Sequence, residues 1–196
     1  MERELNLSNI PGTVLKLEKM GGAIGLEFLD KVFYISDGIM LSQIREITGI
    51  DGTTLQNWLK RGWVPNPKNR MYSREQLSRI MIINMMRDTM QLSRVAFLLR
   101  YLNGDDEGDR IITESRLYDY VCKIIAKITS PDSAALNDLS EVIEEVTEDY
   151  QGPASGAKRR VCEALRVIVV SYYAARVKAI AEETLDKLGA DPSRKR

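Results

Sequence analysis

The stretch Leu41-Ser42-Gln43-Ile44-Arg45-Glu46-Ile47-Thr48-Gly49-Ile50-Asp51-Gly52-Thr53-Thr54-Leu55-Gln56-Asn57-Trp58-Leu59-Lys60-Arg61 decides how this chain folds. Leu41, Ile44 and Ile47 recur about one turn apart, which gives a short helix a single apolar face. Thr48-Gly49-Ile50-Asp51 interrupts it. Glycine accepts the left-handed geometry that ends a helix, and Asp51 can cap the next one by accepting a hydrogen bond from the amide of Thr53 or Thr54. In that second helix Leu55, Trp58 and Leu59 share the inner face. Thr53, Thr54, Gln56, Asn57, Lys60 and Arg61 are left outside, a polar face whose charges all have one sign.

Downstream of Gly62, Trp63-Val64-Pro65-Asn66-Pro67-Lys68-Asn69-Arg70-Met71-Tyr72 combines two prolines, turn-forming asparagines and short apolar flanks. It predicts a small β-hairpin wing with Lys68, Asn69 and Arg70 at its tip. Ser73-Arg74-Glu75-Gln76 has the form of a capping box and opens a third helix to about Asp88, with Leu77, Ile80, Met81, Asn84 and Met85 inward. Leu92 to Leu102 forms a fourth through Val95, Leu98, Leu99 and Leu102. Two helices across a tight glycine turn, the second with a cationic outer face, make a helix-turn-helix, whose second helix enters the major groove of duplex DNA. Gln56 and Asn57 carry amides that pair in bidentate fashion with adenine. Lys60 and Arg61 sit where phosphates pass, and Lys68 and Arg70 reach the flanking backbone or minor groove.

These residues in this order resemble the winged helix-turn-helix of MerR-type transcription regulators. An apolar helix followed by Thr-Gly-Val is matched by Ile47-Thr48-Gly49-Ile50. Thr-Leu-Arg-Tyr-Tyr is matched by Thr54-Leu55-Gln56-Asn57-Trp58, and the wing's Arg-Leu-Tyr-Ser by Arg70-Met71-Tyr72-Ser73. The resemblance implies that Gln56, Asn57, Arg70 and Tyr72 face DNA. Gln56 stands for an arginine, Asn57 and Asn69 for aromatics, and Arg45 for a small residue between the helices, so fold and site position carry over rather than base preference. Over roughly residues 10 to 103 the chain is still more similar to an uncharacterised, mostly Gram-positive bacterial family with a MerR-like domain, which brings no established activity.

At 196 residues with 44% hydrophobic content, the chain can build one domain of ordinary size or two small ones. Net charge is zero but unevenly spread. From Ile39 to Asn103 ten lysines and arginines oppose four acids, whereas from Gly104 to Tyr150 four oppose thirteen. A basic module in a neutral chain suits nucleic-acid binding if the acidic region points away. Cys122 and Cys162 fit neither a metal quartet nor a redox pair and read as buried free thiols. Without a leader-like apolar segment, or an apolar run near the ~20 residues that span a bilayer, the expected location is the cytoplasm, with no membrane partner.

The organisation expected is mainly α. Residues 1–37 form an apolar, partly helical extension whose Ile24, Leu26, Phe28, Leu29 and Phe33 pack on the winged domain of residues 38–103. Residues 104–112 are an acidic linker lacking the closing glutamate of a calcium loop. Residues 113–190 form a carboxy-terminal helical region for dimerisation or sensing, and 191–196 a disordered basic tail. Within that region Thr113 to Ile128 and the acidic Ala134 to Tyr150 read as helices. Lys158 to Leu188 reads as one long helix, with Val161, Leu165, Ile168, Tyr172, Ala175 and Ala179 as a pairing seam that serves either a dimer or internal packing. The glycines at Gly21-Gly22-Ala23-Ile24-Gly25 lack the ending of a phosphate loop and read as a connector.

With no histidine and no nucleophile beside a base, the chain is not expected to be an enzyme, and neither cofactor nor metal is implied. The residues point to a homodimeric, sequence-specific DNA-binding transcription regulator with an unidentified effector or protein partner. The alternative is a protein-interaction adaptor whose helix-turn-helix no longer reads DNA.

Overall fold

Eight α-helices account for the regular structure of this computed structural model, which describes residues 8–104, 107–129 and 139–189. The expectations for residues 1–7, Asp105 and Asp106 of the acidic linker, Pro131, the start of the acidic helix at 134–138 and the tail from Ala190 onward lie outside the described residues. The helices are α1 (Gly25–Val32), α2 (Leu41–Thr48), α3 (Gly52–Lys60), α4 (Arg74–Met86), α5 (Leu92–Asn103), α6 (Glu114–Ile128), α7 (Leu139–Val146) and α8 (Ala157–Gly189).

Their ends follow local chemistry. Asp51 caps α3, accepting from the Thr54 amide at 2.9 Å and the Thr54 hydroxyl at 2.5 Å. Ser73 and Gln76 form the capping box of α4, the Ser73 amide donating to Gln76 Oε1 at 2.8 Å and the Gln76 amide to Ser73 Oγ at 3.3 Å. Thr113 caps α6. Gly49 ends α2 at φ 70°, where a side chain would also strike Val14.

α4 is the axis of the fold. Its expected inner stripe is widened by Ile82, Ile83 and Met86, which are as buried as Leu77, Ile80 and Met81, so the helix is buried nearly all round. α2 and α5 take part of its surface, while α6 and α8 take the rest. Asn84, half buried, donates one amide group to the carbonyls of Thr48 and Gly12, both at 3.0 Å, and so ties the end of α2 and the amino-terminal loop to this axis.

α1 sits mainly on α6. Its residue Ile24 offers no cap of its own, and Asp119 of α6 supplies one from 93 positions away: the Leu26 amide donates to Asp119 Oδ1 at 2.9 Å. Lys123 holds the other Asp119 oxygen at 2.7 Å. Tyr118, fully buried, donates its hydroxyl to the Pro11 carbonyl at 2.8 Å. Residues 38–103 are also reached, through Arg74 of α4, which pairs with Asp30 at 2.7 Å and lies over Phe33.

The expected β-hairpin wing is absent. Among the described residues there is no strand and no sheet, and the mainly α part of the expectation is what stands. The run from Trp63 to Tyr72 contains one tight turn, closed by the Met71 amide donating to the Lys68 carbonyl at 2.8 Å. Two causes prevent pairing. Pro65 and Pro67 have no N–H to donate. The backbone groups that would complete a ladder are also taken elsewhere. Tyr72 exchanges two hydrogen bonds with Ile39, at 2.8 and 2.9 Å, while the carbonyls of Trp63 and Pro65 accept from Arg79 and Gln76 of α4.

α8 is about 50 Å long at 1.5 Å per residue. Its first half enters the bundle, burying Val161, Leu165 and Ile168, so the expected seam is spent on packing within the chain at least that far. From Ala181 to Gly189 every residue of the helix is exposed. No helix among the described residues is long and apolar enough to cross a membrane.

Candidate nucleic-acid interface

Because Leu55 and Trp58 are buried and Leu59 half buried, the helical period turns Thr53, Gln56, Asn57 and Lys60 to solvent, together with Arg61 just past the end. Thr53, Gln56 and Asn57 make no side-chain hydrogen bond within the described structure, and Lys60 has no ion-pair partner there. Arg61 stacks on the Trp63 ring, 5.2 Å from its centroid. Thr54 is different: half buried, it spends its hydroxyl on Asp51. The two bonds from Thr54 hold the Asp51 carboxyl below the usual carboxylate range, so an anion stands at the amino end of this face.

The turn that follows presents Lys68, Asn69 and Arg70, all exposed. Asn69 at φ 51° and Arg70 at φ 65° are both left-handed, as a two-residue turn of this hand requires. Asparagine tolerates that region, whereas arginine is strained in it by about 1–2 kcal/mol. Arg70→Gly is therefore expected to raise the unfolding midpoint by about 2–4 °C, a stabilisation near 1 kcal/mol in a chain of this size, measured by thermal unfolding followed by circular dichroism. An unchanged or lower midpoint would mean the turn is not strained.

Tyr72 does not belong to this surface. Its side chain is 3% exposed, packed in the core behind the pairing with Ile39, and burial pushes its phenol up from the ordinary value. The expectation that it faces DNA is corrected accordingly: an aromatic beside a turn is inward here because its neighbour Met71 closes that turn.

A second cluster escaped the sequence because it joins residues far apart. Arg79 of α4, 15% exposed, donates from Nε to the Trp63 carbonyl at 2.6 Å and from Nη1 to Glu114 Oε1 at 2.9 Å. Glu114, at the start of α6, is 4% exposed at its side chain. With Arg61, Arg100 and Arg110 they line a cleft of about 390 Å³ between the end of α3 and the start of α6. Only the local pairing of Arg110 with Glu114, four positions apart, was open to a reading by spacing. Cys122 is buried, its thiol pushed up to about 12 by desolvation, and Cys162 is half buried; both are free. No group of three or more metal-binding side chains occurs among the described residues.

Residues 23–121 match the profile of a family described as a domain of unknown function (DUF1836). The chain belongs to that family. The matched segment runs from the start of α1 into α6, so it takes in the helix-turn-helix, the Leu26 to Asp119 bond and the arginine-lined cleft. No curated protein and no solved structure matches the chain. The family description names no activity and does not mention MerR-type regulators.

Proposed function

We propose that this DUF1836 protein is a sequence-specific, DNA-binding transcription regulator. In this reading α3 lies in the major groove, with Gln56 and Asn57 on base edges and Thr53 and Lys60 beside the phosphates. Lys68, Asn69 and Arg70 of the following turn meet the flanking backbone, the role that the resemblance to MerR-type regulators implies for that region. The observation that carries it is the uncommitted face of α3: Thr53, Gln56, Asn57 and Lys60 are exposed and without side-chain partners in the described structure, on the second helix of a helix-turn-helix.

Selection of bound duplexes from a random pool, at two salt concentrations, tests the reading. An enriched sequence is expected. Gln56→Ala should then flatten preference at one position by about 1–3 kcal/mol while leaving the salt slope unchanged. Equal loss of affinity for every sequence would sink the assigned base contact. Absence of binding even at low salt would favour the adaptor.

A homodimer is part of the proposal, because readers of this type pair to cover two half-sites. The face that would pair is not the one expected. Val167, Val170, Ala174, Val177, Ala181, Thr184 and Leu188 are all exposed and alternate spacings of three and four along α8. That is a seam with a period of 3.5, running about 31 Å, opposite in role to the buried Val161, Leu165 and Ile168. A second copy is the natural occupant, since the stripe is self-complementary and every residue of the helix from Ala181 to Gly189 is exposed. Val177→Glu should convert a dimer to a monomer by light scattering without loss of helix content. A wild-type monomer at high micromolar concentration would refute the pairing.

A further inference from the structure

We propose that the cleft between the end of α3 and the start of α6 binds a compact oligophosphate, the class that includes pyrophosphate and the phosphate tail of a nucleotide. Four arginines line it, Arg61, Arg79, Arg100 and Arg110, against a single acidic lining residue, Glu114. Arg79 is committed to Glu114 and to the Trp63 carbonyl. Arg110 stands 3.4 Å from Glu114 Oε2, an ion-pair distance, yet that buried oxygen has no hydrogen-bond donor. Arg100 has no ion-pair partner among the described residues, and Arg61 has only the Trp63 ring. Asp109 packs against Gly104 at one rim.

Like charges gathered at one cleft raise one another's free energy, and of Arg61, Arg100 and Arg110 only Arg110 has a carboxylate within ion-pair distance among the described residues. A multiply charged anion relieves that repulsion, through the paired donors that arginine presents to phosphate oxygens. The volume, about 390 Å³, is at the lower end of small-ligand sites and suits an oligophosphate better than a large organic ligand. The unpaired Glu114 oxygen adds an acceptor for a hydroxyl or amine donor, and the half-buried Trp63 offers a flat surface beside it. The assignment does not depend on whether α3 reads DNA, although Arg61 borders both surfaces.

Titration of the full-length protein with pyrophosphate, and separately with adenosine and guanosine triphosphates, tests the site through the fluorescence of Trp63, the cleft-lining member of the chain's two tryptophans. Saturable binding with a dissociation constant below about 0.1 mM is expected for at least one of these probes. Arg100→Gln, an exposed change that disturbs no partner, should weaken it about tenfold, the loss of one charged hydrogen bond. Arg94→Gln, on the same helix but outside the cleft, should not. Tighter binding of a nucleotide than of pyrophosphate would place the ring on Trp63, and equal binding would leave the inorganic anion as the ligand. No saturable response to any probe near 1 mM, or equal weakening by Arg94→Gln, would overturn the site. Quenching by duplex DNA alone would do so too, assigning these arginines to the DNA surface.

Discussion

Gly25→Ala will lower the free energy of unfolding by about 3–5 kcal/mol, a large part of the 5–15 kcal/mol that holds a typical domain together. Three effects add at this position. The residue has φ +55°, where a side chain costs about 1–2 kcal/mol. A Cβ would collide with Asp119 Oδ1 and lie 3.1 Å from the Asp119 Cα, so relief requires moving the backbone of α6. That displacement breaks the Leu26 to Asp119 bond, which has a charged acceptor and is worth about 1.5–3 kcal/mol. Gly22→Ala is the control: φ is +80° there, but a Cβ meets nothing within 4 Å, so only the backbone cost remains. Urea unfolding followed by circular dichroism separates the two variants. Equal destabilisation would show that α1 is not seated on Asp119.

Arg79→Ala is expected to cost about 3–5 kcal/mol for a different reason. It strands the Glu114 carboxylate, 4% exposed, with Arg110 as its remaining neighbour and leaves the Trp63 carbonyl without its donor. The attraction between the two charges is not what is lost; the penalty is that of a buried anion without a close partner. Arg79→Met combined with Glu114→Gln should therefore recover most of the stability, to within about 1–2 kcal/mol of the parent. A double variant as unstable as the single one would refute that account and point to the Arg79 side chain as packing.

What the sequence disclosed and what it hid divide along chain distance. The caps at Asp51, Ser73 and Gln76 were legible because donor and acceptor lie within three residues. The exposed face of α3 was legible because two inward apolar residues, Leu55 and Trp58, fix the rotation of a short helix. α4 was read as half buried because an apolar residue on its far side has no local partner; that partner is α6 or α8, which no periodicity names. The absent hairpin has the same origin. Its returning leg looks like a strand until Ile39, over thirty residues back, is seen to hold Tyr72 on both backbone bonds. On α8 two apolar stripes share one helix, and spacing cannot say which faces the bundle. Val161, Leu165 and Ile168 went inside, leaving Val167, Val170 and Val177 out.

The clasp between Leu26 and Asp119 also sets a schedule. A ribosome adding about 5–20 residues per second makes Asp119 some 5 to 20 s after Leu26. For that interval α1 has no cap and Pro11 has no Tyr118 hydroxyl to accept from, while the side of α4 that α6 will cover is bare from the completion of α4 at Met86 onward. The helix-turn-helix and α4 are made before α6 and α8, so the nascent chain carries an exposed apolar flank from Met86 until those two helices follow.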